Sequence, residues 1–243
     1  MPGEINISMD EARALVADQA LWPRVRDFLW DFASQVHESW LGGLVVRWLG
    51  GSEDTQQLNH LTTQLPNYQT LLSSPRVKRH VLSSLRVTPC FHSFPKGDWS
   101  RLLLLDGATL VEIAKWLGAV VCAGDLRRVT DGATVRELKA ALPGIYPDVF
   151  GYTMYFKGID LAAKDAKSAK GRMSEDVVST GLSIIVSLFA SLPEALSSRL
   201  EFKLPKGLCD LCVLCGENER PALDAAVKRL LKLKFPEAYK LCC

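Results

Sequence analysis

The sequence predicts a mainly α protein, a compact helical body with room for a small two-stranded β element. Three observations predict it. Apolar residues recur at three- and four-residue spacing, the period that puts them on one helix face. Hydroxyl residues stand three before glutamates at Ser8/Glu11, Thr109/Glu112 and Thr134/Glu137, the pattern of a capping box. The longest uncharged run, Val177–Leu192, carries serines at every fourth position, a helical repeat.

Ser8 opens the first helix, expected from Met9 to about Leu21 and halted near Pro23. A second helix begins there and places Val25, Phe28, Leu29 and Phe32 on one face. Trp30, Trp40 and Trp48 continue an aromatic-rich stretch up to Leu49–Gln57, which reads as a turn or linker. Residues 1–55 are therefore expected as an N-terminal helical subdomain and 75–243 as the main body, or the whole chain as one continuous domain. Pro75 suits the first turn of a helix through Val77, Val81, Leu82 and Leu85. Arg86–Pro95 looks extended, but its two prolines confine it to an edge strand or a loop. "RLEFKL", Arg199–Leu204, alternates and is the candidate to pair with it.

The middle of the chain is the most legible. A helix from Thr109 sets Leu110, Ile113, Leu117 and Val121 on one face, with Trp116 and Val120 covering much of the rest. Only Glu112 and Lys115 are polar, so this helix is expected at the centre of the core. A short helix with Asp125, Arg127 and Arg128 follows, then a capped helix over Thr134–Gly144, stopped by Pro143-Gly144. Lys157–Asp176 is basic, Ala-rich and weakly patterned, an exposed helix or a mobile connection. As a helix, Val177–Leu192 reaches roughly 24 Å against a hydrocarbon layer of roughly 30 Å, and it reads as a buried core helix. Its serines, 179, 183, 187 and 191, line one side, where small side chains let a neighbour approach and hydroxyls bond back to carbonyls. The last helix begins near Pro221. It turns Leu223, Ala226, Val227, Leu230 and Leu231 inward, with Asp224, Lys228 and Lys232 on the wet side.

A chain of 243 residues, 48% apolar and 23% charged, is long enough to bury a sizeable core. The net charge of +2 is too small to argue for nucleic acid or an anionic membrane, and no nucleic-acid-binding motif is present. The opening "MPGEINISMDEARALV" lacks the basic start and apolar run of a signal peptide. The seven cysteines are accordingly expected as thiols in a cytosolic protein.

Cys209, Cys212 and Cys215 form C-x2-C-x2-C, and Cys242-Cys243 close the sequence. That spacing lets the backbone turn around one ion, as in zinc sites and part of an iron–sulfur ligand set. A zinc site lacks a nearby fourth ligand, and the ferredoxin run would need a Cys-Pro where Gly216 follows. Positions three apart on a helix also make a cysteine-rich core face, the plainer reading. A metal- or redox-responsive protein built on these three cysteines is the alternative function. Of the four histidines, His37, His60, His80 and His92, none forms a helical ligand pair. Cys90 and His92 lie close in sequence but lack an orienting group and an oxyanion site. Gly50–Thr55 lacks the Lys of a phosphate loop, and the acids are scattered. Neither an enzyme nor a resident cofactor has positive support.

Arg127 and Arg128 diverge by about 100° on a helix, so they cannot face one way. One is expected to pair inward with Asp125, Asp131 or Glu137, and the other to point outward, towards an acidic partner. The segment around them, "LVEIAKWLGAVVCAGDLRRVTDGATVRELKAALPG", resembles the K protein of the bacterial type III secretion sorting platform, the YscK/PscK-type family. That family carries a Leu-Gly, a short apolar spacer, a small residue and a Leu/Ile-Arg-Arg, here Leu117-Gly118, Ala119–Cys122, Ala123 and Leu126-Arg127-Arg128. Ser179–Pro205 and the closing helix from Pro221 look similar too, so the resemblance spans roughly residues 109–243. The cysteine cluster is not part of the family pattern. The resemblance implies a non-enzymatic adaptor without cofactors, at the cytosolic face of the inner membrane. It would join the cytosolic domain of the D-type ring component to the Q-type pod protein, and through the pods the L stalk protein and the N ATPase. It implies no nucleic acid and no direct membrane insertion. Arg127 and Arg128 are the partner-binding residues it points to. Trp22, Trp30, Trp40 and Trp48, where exposed, are the first candidates for apolar anchors.

Overall fold

The computed structural model describes residues 8–41, 44, 72–87, 92–156, 173–189, 192–206 and 220–243. Among them the regular elements are helices and no strand occurs, as a mainly α chain requires. They gather in two compact units, the described parts of Met1–Pro95 with Pro193–Cys209, and of Lys96–Leu192 with Asp210–Cys243.

The first unit holds α1 (Met9–Ala17), α2 (Trp22–Trp30), a 3-10 turn (Phe32–Gln35), α3 (Pro75–Ser84) and a later helix, Glu194–Lys203. Ser8 and Glu11 cap α1 reciprocally: the Glu11 amide donates to Ser8 Oγ at 3.2 Å and the Ser8 amide to the Glu11 carboxylate at 2.9 Å. The helix stops short of Leu21 because Asp18 draws the chain into a turn, accepting from the Ala20 and Leu21 amides at 3.1 and 3.0 Å. Pro23 then sits in the first turn of α2. The core gathers Val25, Phe28, Phe32, Val81 and Phe94. Phe28 packs edge-to-face with Phe32 and Phe94 at 5.7 and 5.6 Å.

One expectation is overturned here. Arg199–Lys203 is the end of the helix Glu194–Lys203, not a strand, and the described residues of Arg86–Pro95 join no sheet. The buried residues of that helix are Leu196, Arg199, Leu200 and Lys203, a helical period that includes two cations. The Arg199 guanidinium donates to the Phe28 carbonyl and lies about 5 Å from the Phe28 and Phe32 rings. Lys203 Nζ stands 5.1 Å from the Phe28 ring. Aromatic faces and long methylene stems let both cations lie on the core side. The apparent alternation arose from counting them as solvent-facing.

The second unit is built on α4 (Gly107–Val121), α5 (Ala123–Leu126) and α6 (Gly132–Ala141). To these it adds α7 (Met173–Phe189), the unit-1 helix just described being α8 (Glu194–Lys203), then α9 (Arg220–Lys234) and α10 (Pro236–Cys242). Short 3-10 turns cover Trp99–Leu104, Asp148–Gly151 and Thr153–Phe156. As expected, α4 is central: Leu110, Ile113, Ala114, Trp116, Leu117, Ala119 and Val120 are all buried. Its cap differs from the expected one. Asp106 takes the Thr109 amide and hydroxyl, both at 2.8 Å, and Asp131 does the same for Thr134 at 2.8 and 2.7 Å. A carboxylate accepts both bonds at once, so each helix starts before its threonine and each Thr stands inside the first turn as a donor. α6 ends before Pro143, and Gly144 takes the left-handed conformation at φ 73°.

α7 packs along α4 with Val177, Leu182, Ile184, Ile185 and Phe189 buried. Two glycines set the closeness of that crossing. A Cβ added to Gly118 would overlap the Val177 carbonyl, and one added to Gly181 would overlap the Ala114 carbonyl. The serine stripe behaves as expected at its centre, where buried Ser187 donates from Oγ to the Ser183 carbonyl at 2.9 Å. Ser191 lies outside the described residues. On α9, Leu223, Ala226, Val227, Leu230 and Leu231 face inward as the sequence predicts. α10 is fastened by Gly97 N donating to the Cys242 carbonyl at 2.9 Å and by Arg101 donating to the Leu241 carbonyl at 3.1 Å. No helix among the described residues is long and apolar enough to cross a membrane.

Candidate functional site

The segment from Leu117 to Arg128 joins the core to the surface of the second unit. Leu117 and Leu126 are fully buried, and Gly118 is the point where α7 crosses α4. With Leu126 anchored inward, the next two residues emerge at the end of α5 rather than inside it, Arg127 being the residue that caps its C-terminus. Their guanidiniums part. Arg127 lies 5.1 Å from the Phe150 ring and donates to the Phe150 carbonyl at 3.3 Å. Arg127 is thus held by an aromatic ring and a backbone oxygen, and the pairing with Asp125 that the sequence offered falls to Arg128. Arg128 has a side chain 84% exposed and meets Asp125 at 3.4 Å across open solvent. An ion pair that wet holds its arginine only loosely, so Arg128 is available to another acid.

The tryptophans divide in a similar way. Trp40 donates to the Leu204 carbonyl at 2.9 Å and packs edge-to-face with Phe202 at 5.1 Å, a structural use. Trp30 is 57% exposed on α2, edge-on to half-buried Trp22 at 5.7 Å. Trp48 lies outside the described residues.

Cys209, Cys212 and Cys215 also lie outside the described residues, as do Cys90 and His60. Among the described residues no group of three His, Cys, Asp or Glu side chains is placed to hold a metal ion. Cys122, Cys242 and Cys243 are free thiols. Burial pushes the Cys242 thiol up to about 12 and raises that of Cys122, so neither is an activated thiolate at neutral pH. His37 Nδ1 meets Ser39 Oγ at 2.9 Å, but the same nitrogen accepts the Ser39 amide at 3.2 Å. That geometry is a local turn rather than a base poised over a nucleophile.

A second surface feature was not foreseen from the sequence. Arg229 on α9 lies 4.4 Å from the Tyr155 ring. Lys234 stands between Trp116 and Tyr152, at 4.1 and 4.8 Å, with Asp148 at 3.6 Å. Exposed Leu233 follows Arg229 by one helical turn, and exposed Met154 adjoins Tyr155. The signal was present in "LKLK", where Leu233 falls off the buried stripe of α9.

No family model matches the chain, and no curated protein and no solved structure matches it. Fold and surface together define a mainly α protein that exposes aromatic and apolar side chains beside cations and carboxylates.

Proposed function

We propose that the protein is a docking adaptor, the K component of a bacterial type III secretion sorting platform. In that role it works by holding partners rather than by turning over a substrate. It stands at the cytosolic face of the inner membrane and joins the D-type ring component's cytosolic domain to the Q-type pod protein. The L stalk protein and the N ATPase are reached through the pod.

The observation that carries the docking reading is Trp30, 57% exposed at the end of α2 beside Trp22. Tryptophan has a large apolar area to gain from burial and is the residue type most enriched at binding hot spots. The choice of family rests on the Leu-Gly…Leu-Arg-Arg pattern. Its members here have distinct physical tasks: a close helix crossing at Gly118, a core anchor at Leu126, and two arginines at the surface.

Co-expression with the D-type cytosolic domain and the Q-type pod protein tests the reading. The wild-type chain is expected to retain both. Trp30→Ala is expected to lose at least one of them, by about thirtyfold in affinity if it costs the roughly 2 kcal/mol typical of a hot spot. Arg128→Glu is expected to weaken binding while leaving the fold intact. A wild-type chain that retains neither partner overturns the reading.

A further inference from the structure

We propose that α9 and the turn at Thr153–Phe156 form a docking surface for an acidic amphipathic helix of a partner protein. The inference deepens the docking reading and rests on it, and it adds the chemistry of a partner. The surface is made by Arg229, Lys232 and Leu233 on α9, with Met154 and Tyr155 beside them. Leu233 is 51% and Met154 68% exposed, and they border the Arg229–Tyr155 contact. This is the anatomy of an interface, apolar at its centre and charged at its rim.

Charge selects the partner. Lys228 is matched by Asp224 at 2.9 Å and Lys240 by Glu237 at 2.9 Å. Of the other three cations, Lys234 meets Asp148, while Arg229 and Lys232 lie against the Tyr155 and Tyr239 rings at 4.4 and 5.9 Å. With Lys234, its side chain 21% exposed, matched by Asp148, Arg229 and Lys232 are the two cations that meet rings rather than carboxylates among the described residues, an excess that a negatively charged partner complements. Ring contacts also restrict these long side chains before binding, which lowers the entropy lost when a partner arrives.

A membrane is the less suitable occupant. A helix lying in a lipid surface needs a continuous apolar face to insert. The apolar face of α9 (Leu223, Val227, Leu230 and Leu231) is buried within its own unit. Among the described residues of α9 and the adjoining turn, Leu233 and Met154 are the exposed large apolar side chains, too few for insertion into lipid.

The test uses the full chain and a fluorescent acidic amphipathic peptide, leucines along one helical face and glutamates along its flanks. Parallel arms use the same peptide with lysines for glutamates, and anionic phosphatidylglycerol vesicles. The acidic peptide is expected to bind saturably and to weaken with added salt, the basic peptide not to bind. Lys232→Glu and Leu233→Ser are each expected to weaken the acidic peptide by about tenfold or more. Their thermal unfolding should be unchanged. Failure of the acidic peptide to bind, equal binding of both peptides, variants that bind as wild type, or binding to vesicles alone would each overturn the proposal. Peptide binding without retention of the D-type and Q-type proteins keeps this surface and removes the secretion-platform role. The opposite result removes this surface and keeps the role.

Discussion

Arg127 and Arg128 are adjacent in the chain, and the turn at the end of α5 sends one guanidinium over Phe150 and leaves the other 84% exposed. Their substitutions should separate accordingly. Arg127→Ala removes a cation–π contact and a hydrogen bond and is expected to cost about 0.5–1 kcal/mol. Arg128→Ala is expected to stay within about 0.5 kcal/mol of wild type, because its ion pair with Asp125 lies in water. Urea unfolding of both variants checks the ordering, which reverses if Arg128 has a structural role. Asp131 gives a second contrast, this one in pH. Bonds from the Thr134 amide and hydroxyl hold its carboxyl below the ordinary carboxylate range. A lowered folded pKa means that the charged cap stabilises α6 above that range and loses its effect as pH falls through the folded value. Asp131→Ala should therefore lower the urea midpoint at neutral pH, and its difference from wild type should shrink on acidification. A constant difference would show that charge is not what the cap contributes.

Gly118 and Gly181 show how an element's position depends on what is missing from it. In a helix interior exposed to solvent, Gly→Ala stabilises by up to about 1 kcal/mol. At Gly118 the added methyl meets the Val177 carbonyl, and at Gly181 that of Ala114, so each change is expected to cost about 1–3 kcal/mol instead. Gly124→Ala is the control, since nothing lies within 4 Å of a Cβ there, and it should be neutral or stabilising. Denaturant midpoints for the three variants measure the sign directly. The same pair marks a limit of legibility. The inward faces of α4 and α9 were readable because apolar residues repeat at the helical period within one segment. That Gly118 lies against Val177 was not, because it is a pairing between distant segments, and Gly181 lies off the serine stripe of its own helix. The α8 error has another origin. A six-residue window cannot separate alternation from a helical face once Arg199 and Lys203 lie inward over phenylalanine rings. The caps of α4 and α6 were displaced for a third reason: Asp-x-x-Thr caps a helix as well as Thr-x-x-Glu, and the two patterns overlap in the chain.

Across the molecule, two helical units each bury an apolar core and each leave particular side chains in water. In the first these include Trp30, in the second Arg128, Leu233 and Met154. The sequence made some candidates visible, since tryptophans and paired arginines can be found by eye, while Leu233 and Met154 were not among them. It did not sort them, because exposure depends on which neighbours cover each ring, as Trp40 under Leu204 and Phe202 makes plain. The central claim is that these exposed groups bind protein partners and that the protein acts by doing so. Calorimetric titration of the Q-type pod protein and the D-type cytosolic domain into this chain tests it most directly. Saturable heat with at least one partner, weakened about tenfold or more by Trp30→Ala while unfolding stays that of wild type, is the expected result. No heat with either partner, or binding untouched by Trp30→Ala and by Arg128→Glu alike, would contradict it.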